Sequence, residues 1–215
     1  MRQKVRDVSR ELKNLEKLCL NISDNYSGKY VGVPTWIHFV HSIPSLKTLQ
    51  VNLYSKTWKE FYGQLFRKNI LPYLECLTLS SLKGCLDFKM LISVSKKISS
   101  LELDTALTLN DDDEEFSWNN LEQTDLRGLK MLAFDHQMLD VVQWTHIISE
   151  LEARPEFIVK YPCYWDIQMA EKLVKWLTLP NFDWDYMEAT SDEEYERAVQ
   201  LCTKNCIDLS RIIYL

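Results

Sequence analysis

The sequence predicts an α/β solenoid: a short curved parallel sheet with helices on its convex side, followed by a helical C-terminal cap. Three observations predict it. An L-x-x-L-x-L core recurs five times along 215 residues, the segments between copies carry apolar residues at helical spacing, and the leucines follow no single central run. Stacked units of this kind bury one continuous core although each unit touches only its neighbours.

The copies run in order. Leu15-x-x-Leu18-x-Leu20 lies in LKNLEKLCLNIS, and Leu46-x-x-Leu49-x-Val51 in IPSLKTLQVNL. Leu74-x-x-Leu77-x-Leu79 in LPYLECLTLSS is the clearest. Ile98-x-x-Leu101-x-Leu103 and Leu129-x-x-Leu132-x-Phe134 follow. The middle positions 18, 49, 77, 101 and 132 are separated by 31, 28, 24 and 31 residues, close to a solenoid period of roughly 20–29 residues with some longer units. A weaker sixth copy at Phe157 and Val159 has Arg154 where the leading apolar residue belongs, and a last short strand is expected over 207–213.

Helices are expected between the copies. Trp36, Phe39, Val40 and Ile43 make an apolar stripe just after Pro34, a favoured first-turn residue. Trp58, Phe61, Tyr62, Leu65 and Phe66 make a second, with Thr57 and Glu60 as its capping box. Phe88, Leu91 and Ile92 make a shorter one, and Val141, Trp144, Ile148 and Leu151 mark a helix near 139–151. The last third changes character. Ile167, Ala170, Leu173, Val174 and Leu177 predict a helix ended by Pro180, although Val174-x-x-Leu177-x-Leu179 also fits the strand template. An acidic-aromatic loop, NFDWDYMEATSDEE, then leads to a helix through Tyr195, Ala198, Val199 and Cys202, capped by Ser191 and Glu194. The expected domains are a solenoid over 1–161 and, over 162–215, a helical cap or last repeats packed on the same core.

Composition narrows the function classes. A net charge of −6 and a pI near 5.3 argue against a dedicated nucleic-acid binder. No apolar run reaches the roughly 18 residues of a membrane span, and MRQKVRDVSREL lacks the apolar core of a secretory signal. The expected location is therefore the cytoplasm or nucleus. Six scattered cysteines without a C-x-x-C pair read as reduced thiols.

Together LPYLECLTLSS, IPSLKTLQVNL and LKNLEKLCLNI resemble leucine-rich repeat proteins, over residues 1–160. The match is closest to the irregular repeats behind the F-box in substrate receptors of ubiquitin ligases. The resemblance implies a leucine-rich-repeat-like solenoid that reads a protein substrate, with no cofactor. Two features depart from that family. Ser23, Tyr54, Leu82, Ala106 and Gln137 stand where it places a bonding Asn or Cys, and no F-box-like L-P-x-E helix is found in this chain.

Alternation along each strand sends the leucines inward and the intervening residues onto the concave face. The lining positions are Lys17, Cys19 and Asn21, then Thr48, Gln50 and Asn52, then Cys76, Thr78 and Ser80. Ser100, Glu102 and Asp104, then Met131, Ala133 and Asp135, complete them. Glu102, Asp104 and Asp135, beside the run Asp111, Asp112, Asp113, Glu114 and Glu115, form an acidic candidate site for a basic peptide or helix. The competing reading is that these acids keep an exposed sheet soluble.

Other constellations are weaker. His38 and His41 at i, i+3 lack a third ligand nearby, and Cys202 and Cys206 lack a second pair, so neither predicts a metal site. The Asp183 and Asp185 carboxylates alternate with Phe182, Trp184 and Tyr186, rings that either recognise a partner or tuck onto the last repeat. No glycine-rich phosphate loop, G-x-S-x-G or H-E-x-x-H occurs. The chain is expected to be a non-enzymatic protein-interaction module. The alternative is a structural subunit of a larger complex.

Overall fold

A computed structural model describes residues 12–23, 32–54, 58–65, 71–80, 85–94, 97–104, 117–134, 139 and 141–215. The chain divides into two compact units, Met1–Leu129 and Lys130–Leu215. Both are α/β with parallel strands.

Unit 1 runs β1 (Lys17–Ser23), α1 (Val33–His41), β2 (Thr48–Tyr54), α2 (Trp58–Leu65), β3 (Cys76–Ser80), β4 (Cys85–Asp87), α3 (Phe88–Ile92), β5 (Ser100–Asp104) and β6 (Ser117–Asn119). The strands β1, β2, β3 and β5 are neighbours in that order, all parallel. Their repeat cores are in register, Leu18 beside Leu49, Leu77 and Leu101, and Leu20 beside Val51, Leu79 and Leu103. All but Leu18 are buried.

The L-x-x-L spacing has a hydrogen-bonding cause. The N–H of each leading leucine closes a tight turn onto the carbonyl three residues back: Leu15 to Leu12, Leu46 to Ile43, Leu74 to Leu71, Leu129 to Leu126. One residue before each strand, a carbonyl then receives two consecutive N–H groups from the next unit. Lys47 and Thr48 donate to Glu16, Glu75 and Cys76 to Lys47, and Ser99 and Ser100 to Glu75. These bonds satisfy the backbone where the chain turns into the sheet.

The helices form where the apolar stripes predict them. α1 begins with Val33 and Pro34 and packs against α2. Its stripe outruns it: Ile43 is fully buried but lies beyond the helix end at His41. The Thr57 capping position is outside the described residues. Glu60 instead accepts from Gln64 at 2.9 Å, one helical turn on. α3 is capped by Asp87, whose carboxylate accepts the Met90 N–H at 3.0 Å. The short parallel pair β4–β6 has no counterpart in the predicted elements; it holds the Phe88 and Trp118 rings stacked at 5.4 Å.

Unit 2 runs β7 (Met131–Phe134), α4 (Val141–Ala153), β8 (Ile158–Asp166), α5 (Ile167–Leu177), β9 (Phe182–Ala189), α6 (Asp192–Asn205), a 3-10 turn at Leu209–Arg211 and β10 (Ile212–Tyr214). Its strands again lie in chain order and parallel. Residues 162–215, expected as a helical cap or as last repeats, alternate strand and helix, and position 161 falls inside β8. The segment expected as an acidic-aromatic loop is β9. Phe182 and Trp184 are buried and Asp183 and Asp185 exposed, the period-two pattern of a half-buried strand. The sixth copy shifts by two residues, because Val159 rather than Phe157 sits beside Leu132, and Phe157 closes the entry turn onto Arg154. Phe182 lies beside Val159, so Leu179-x-x-Phe182-x-Trp184 is a further copy built with aromatic residues. The ladder between β8 and β9 slips between Tyr161 and Tyr164, where Pro162 has no N–H to donate.

α5 is capped by Asp166, which accepts the Met169 N–H at 2.8 Å. At α6 the Ser191 hydroxyl accepts the Glu194 N–H as expected. The Glu194 carboxylate reaches one residue further back than a capping box requires, taking the Thr190 N–H at 2.8 Å and hydroxyl at 2.7 Å. Those bonds hold its carboxyl below the usual range. α6 ends at Cys206, whose φ of 56° is left-handed. A side chain there is strained, so Cys206→Gly is expected to stabilise the unit by roughly 0.5–1 kcal/mol in urea denaturation.

Candidate functional site

Parallel sheets are ordinarily covered on both faces. The β1–β2–β3–β5 sheet buries its leucine face, and its other face carries exposed or half-buried polar side chains at almost every described position. The register assembles them into rows: Lys17, Thr48, Cys76 and Ser100, then Cys19, Gln50, Thr78 and Glu102, then Asn21, Asn52, Ser80 and Asp104. Neighbours within a row are about 4.8 Å apart.

Glu102 and Asp104 stand two residues apart on β5, Glu102 exposed and Asp104 half-buried. The Thr78 hydroxyl donates to Glu102 Oε2 at 3.2 Å, and no ion pair engages either carboxylate among the described residues. Asp135 and the run Asp111, Asp112, Asp113, Glu114 and Glu115 lie outside the described residues. Ser80, expected on the lining, is only 6% exposed. The Tyr62 hydroxyl donates to its carbonyl at 3.3 Å, packing α2 against the end of β3. Ala133, another expected lining residue, is also buried.

Two arrangements on this face escape the sequence pattern. Asn52 Nδ2 donates to Asn21 Oδ1 at 2.6 Å, bridging β2 and β1 on the exposed side. At the entry edge, Lys47 Nζ meets Glu16 Oε1 at 2.7 Å. That hydrogen bond, with the charges of Glu16 and Glu75, raises the Lys47 pKa. The signal was available in the position just before each strand, occupied by Glu16, Lys47, Glu75 and Ser99. Lys47 is thus matched by its own neighbours, and the charges this face carries are Lys17 on β1 and the carboxylate pair on β5.

The remaining candidates resolve differently. Cys202 is buried, and burial first and the Asp208 charge second push its thiol pKa up, against nucleophilic use. Cys19, Cys76, Cys202 and Cys206 are free thiols. Among the described residues no cluster of three His, Cys, Asp or Glu is placed to hold a metal, and no helix is long and apolar enough to cross a membrane.

His38 is exposed and His41 half-buried, with His41 Nε2 enclosed and without a hydrogen-bond partner. Burial, and secondarily His38, lowers the His41 pKa below 6.5. The unfolded chain therefore takes up a proton near pH 6.5 before the folded one does, so stability falls as pH drops from 6.5 through the lowered folded value. Thermal melts between pH 7.5 and 5 are expected to fall less steeply for His41→Gln than for the wild type. Parallel pH dependences would remove His41 as the cause.

No family model, no curated protein and no solved structure matches this chain.

Proposed function

We propose that the chain is a non-catalytic protein-interaction module of the cytoplasm or nucleus, whose open sheet face receives a basic peptide or helix of a partner protein. Substrate reading in an F-box-type ubiquitin ligase is the role that the resemblance to leucine-rich repeat receptors implies. The observation that carries this reading is the polar face of a parallel sheet, exposed or half-buried at its described positions other than Ser80 and in register over four strands, with two carboxylates on β5. A second feature supports it. Strand order follows chain order within each unit, and open α/β sheets bind small ligands where that order reverses.

The test is affinity capture from cells followed by mass spectrometry, comparing the wild type with Glu102→Lys/Asp104→Lys. Both side chains reach solvent, so the thermal midpoint is expected to stay within about 0.5 kcal/mol equivalent while the captured partner is lost. A ligase core among the captured proteins supports the receptor reading. Retention of one stoichiometric assembly despite the charge reversal overturns it in favour of a structural subunit.

A further inference from the structure

The exposed apolar side chains concentrate at one corner of unit 2. Tyr195, Leu209, Ile213, Tyr214 and Leu215 all lie on α6, the 3-10 turn, β10 or the residue after it, with Tyr214 51% and Leu215 68% exposed. β10 pairs with β9 through Ile212–Met187, Ile213–Glu188 and Tyr214–Ala189, and among the described residues no strand lies on its other side. The Leu215 N–H donates to the Ala189 carbonyl, so strand alternation turns the backbone of Ile212 and Tyr214 away from β9. The Ile212 N–H is taken by the Leu209 carbonyl, which leaves the Ile212 C=O and both backbone groups of Tyr214 facing outward. Edges of this kind template the addition of another strand. Proteins blunt them with lysine, proline or a bulge, and residues 212–215 contain neither lysine nor proline.

The edge is also held in place. The Arg211 guanidinium stacks on the Trp184 ring at 4.5 Å and donates to the Trp184 carbonyl, pinning the entry to β10. The Tyr214 hydroxyl donates to Asp192 Oδ1 at 3.0 Å, and its ring meets Tyr195 edge-on at 5.7 Å. Its surroundings are acidic. Glu188 is paired with Ile213, Asp192 sits against Tyr214, and Asp208 caps the preceding turn. The cations close by are committed, Arg211 to Trp184 and Arg197 to Glu171 through two hydrogen bonds.

We propose that β10 is a docking edge for an extended segment of a partner protein in which apolar residues alternate with lysine or arginine. Main-chain bonds to the Ile212 carbonyl and to Tyr214 supply the attachment, the apolar side chains cover Ile213 and Leu215, and the basic ones, on the opposite face beside Tyr214, meet Asp192. A second copy is disfavoured as occupant, because pairing β10 with itself sets this carboxylate against its own copy. This edge belongs to unit 2 and is independent of the carboxylates proposed to read a partner in unit 1.

The test uses the full chain and a short end-capped peptide of alternating lysine and valine, with a glutamate–valine peptide as control, read by residue-resolved amide hydrogen exchange. The lysine peptide is expected to slow exchange at Tyr214 at least about tenfold and to leave Ile212, already bonded to Leu209, and Ile213, already bonded to β9, unchanged. The glutamate peptide is expected to leave Tyr214 unchanged as well, and Asp192→Lys to reverse the preference. Glu102→Lys/Asp104→Lys is expected to leave these responses intact. Unchanged exchange at Tyr214, equal slowing by both peptides, or an unreversed preference overturns the proposal. So does slowing that rises with protein concentration alone, which identifies a second copy as the occupant.

Discussion

Trp144→Ala is expected to lower the stability of unit 2 by about 3–5 kcal/mol, the largest single effect available in that unit. Trp144 is 4% exposed and sits at the centre of a ring cluster. Its indole lies 5.7 Å from Phe134, 5.5 Å from Tyr161, 5.3 Å from Trp165 and 5.9 Å from Phe182. Those four residues come from β7, β8 and β9, while Trp144 comes from α4, so one side chain joins a helix to three strands. Removing it leaves a cavity lined by rigid rings, which collapse poorly. Urea denaturation followed by near-ultraviolet circular dichroism measures the loss directly. Val142→Ala on the same helix is the control, since Val142 is 60% exposed and should stay within about 0.5 kcal/mol of wild type. A loss below about 1 kcal/mol for Trp144→Ala would show that the cluster does not organise the unit.

The same cluster explains what was legible in the sequence and what was not. In unit 1 the inward positions are leucine, isoleucine or valine, so the template found every strand of the main sheet and put Leu18, Leu49, Leu77 and Leu101 in one row. In unit 2 the template still found β7 and caught Val159 two residues out of place, but it lost Tyr161, Phe182 and Trp184. Their alternation with Asp183 and Asp185 is strand-like, but acids beside exposed-looking aromatics also resemble a loop. The two readings differ only in whether the rings find a core, and that depends on Trp144 nearly forty residues earlier. The short strands β4 and β6 have three residues each, too few for a period to register. For the candidate site, the inward–outward alternation placed Glu102 and Asp104 on β5's polar face, while the Lys47–Glu16 pair lies in the positions just before each strand, which that alternation does not cover. Ser80 was misplaced because alternation alone ignores Tyr62, which packs over the end of its strand.

Asn181→Ala is expected to cost about 1–3 kcal/mol, and Asn181→Asp more than that at neutral pH. The repeat family that the sequence resembles spaces its bonding asparagines regularly, and those positions are filled otherwise here. Unit 2 instead uses one buried asparagine at the turn before β9. Asn181 is 8% exposed, and its Nδ2 donates to the carbonyls of Leu151 at 3.0 Å, Arg154 at 3.2 Å and Phe157 at 2.8 Å. Leu151 lies in the last turn of α4, where carbonyls lack intrahelical partners, and Arg154 and Phe157 form the turn into β8. Its own carbonyl accepts the Val159 N–H at 3.0 Å, so one residue ties the exit of α4 and the start of β8 to β9. Alanine leaves the buried carbonyls without this donor. Aspartate does worse, because a carboxylate then faces carbonyl oxygens in a buried site, which raises its pKa above the unfolded value. A raised carboxyl pKa penalises the fold at high pH and relieves it as pH falls through that pKa, where the neutral acid donates one O–H. The stability of Asn181→Asp relative to Asn181→Ala should therefore rise on acidification, measured by urea midpoints from pH 7.5 to 4.5. A gap between the two variants that does not change with pH would mean that Asn181 fills space, and that its amide does not hold the turn.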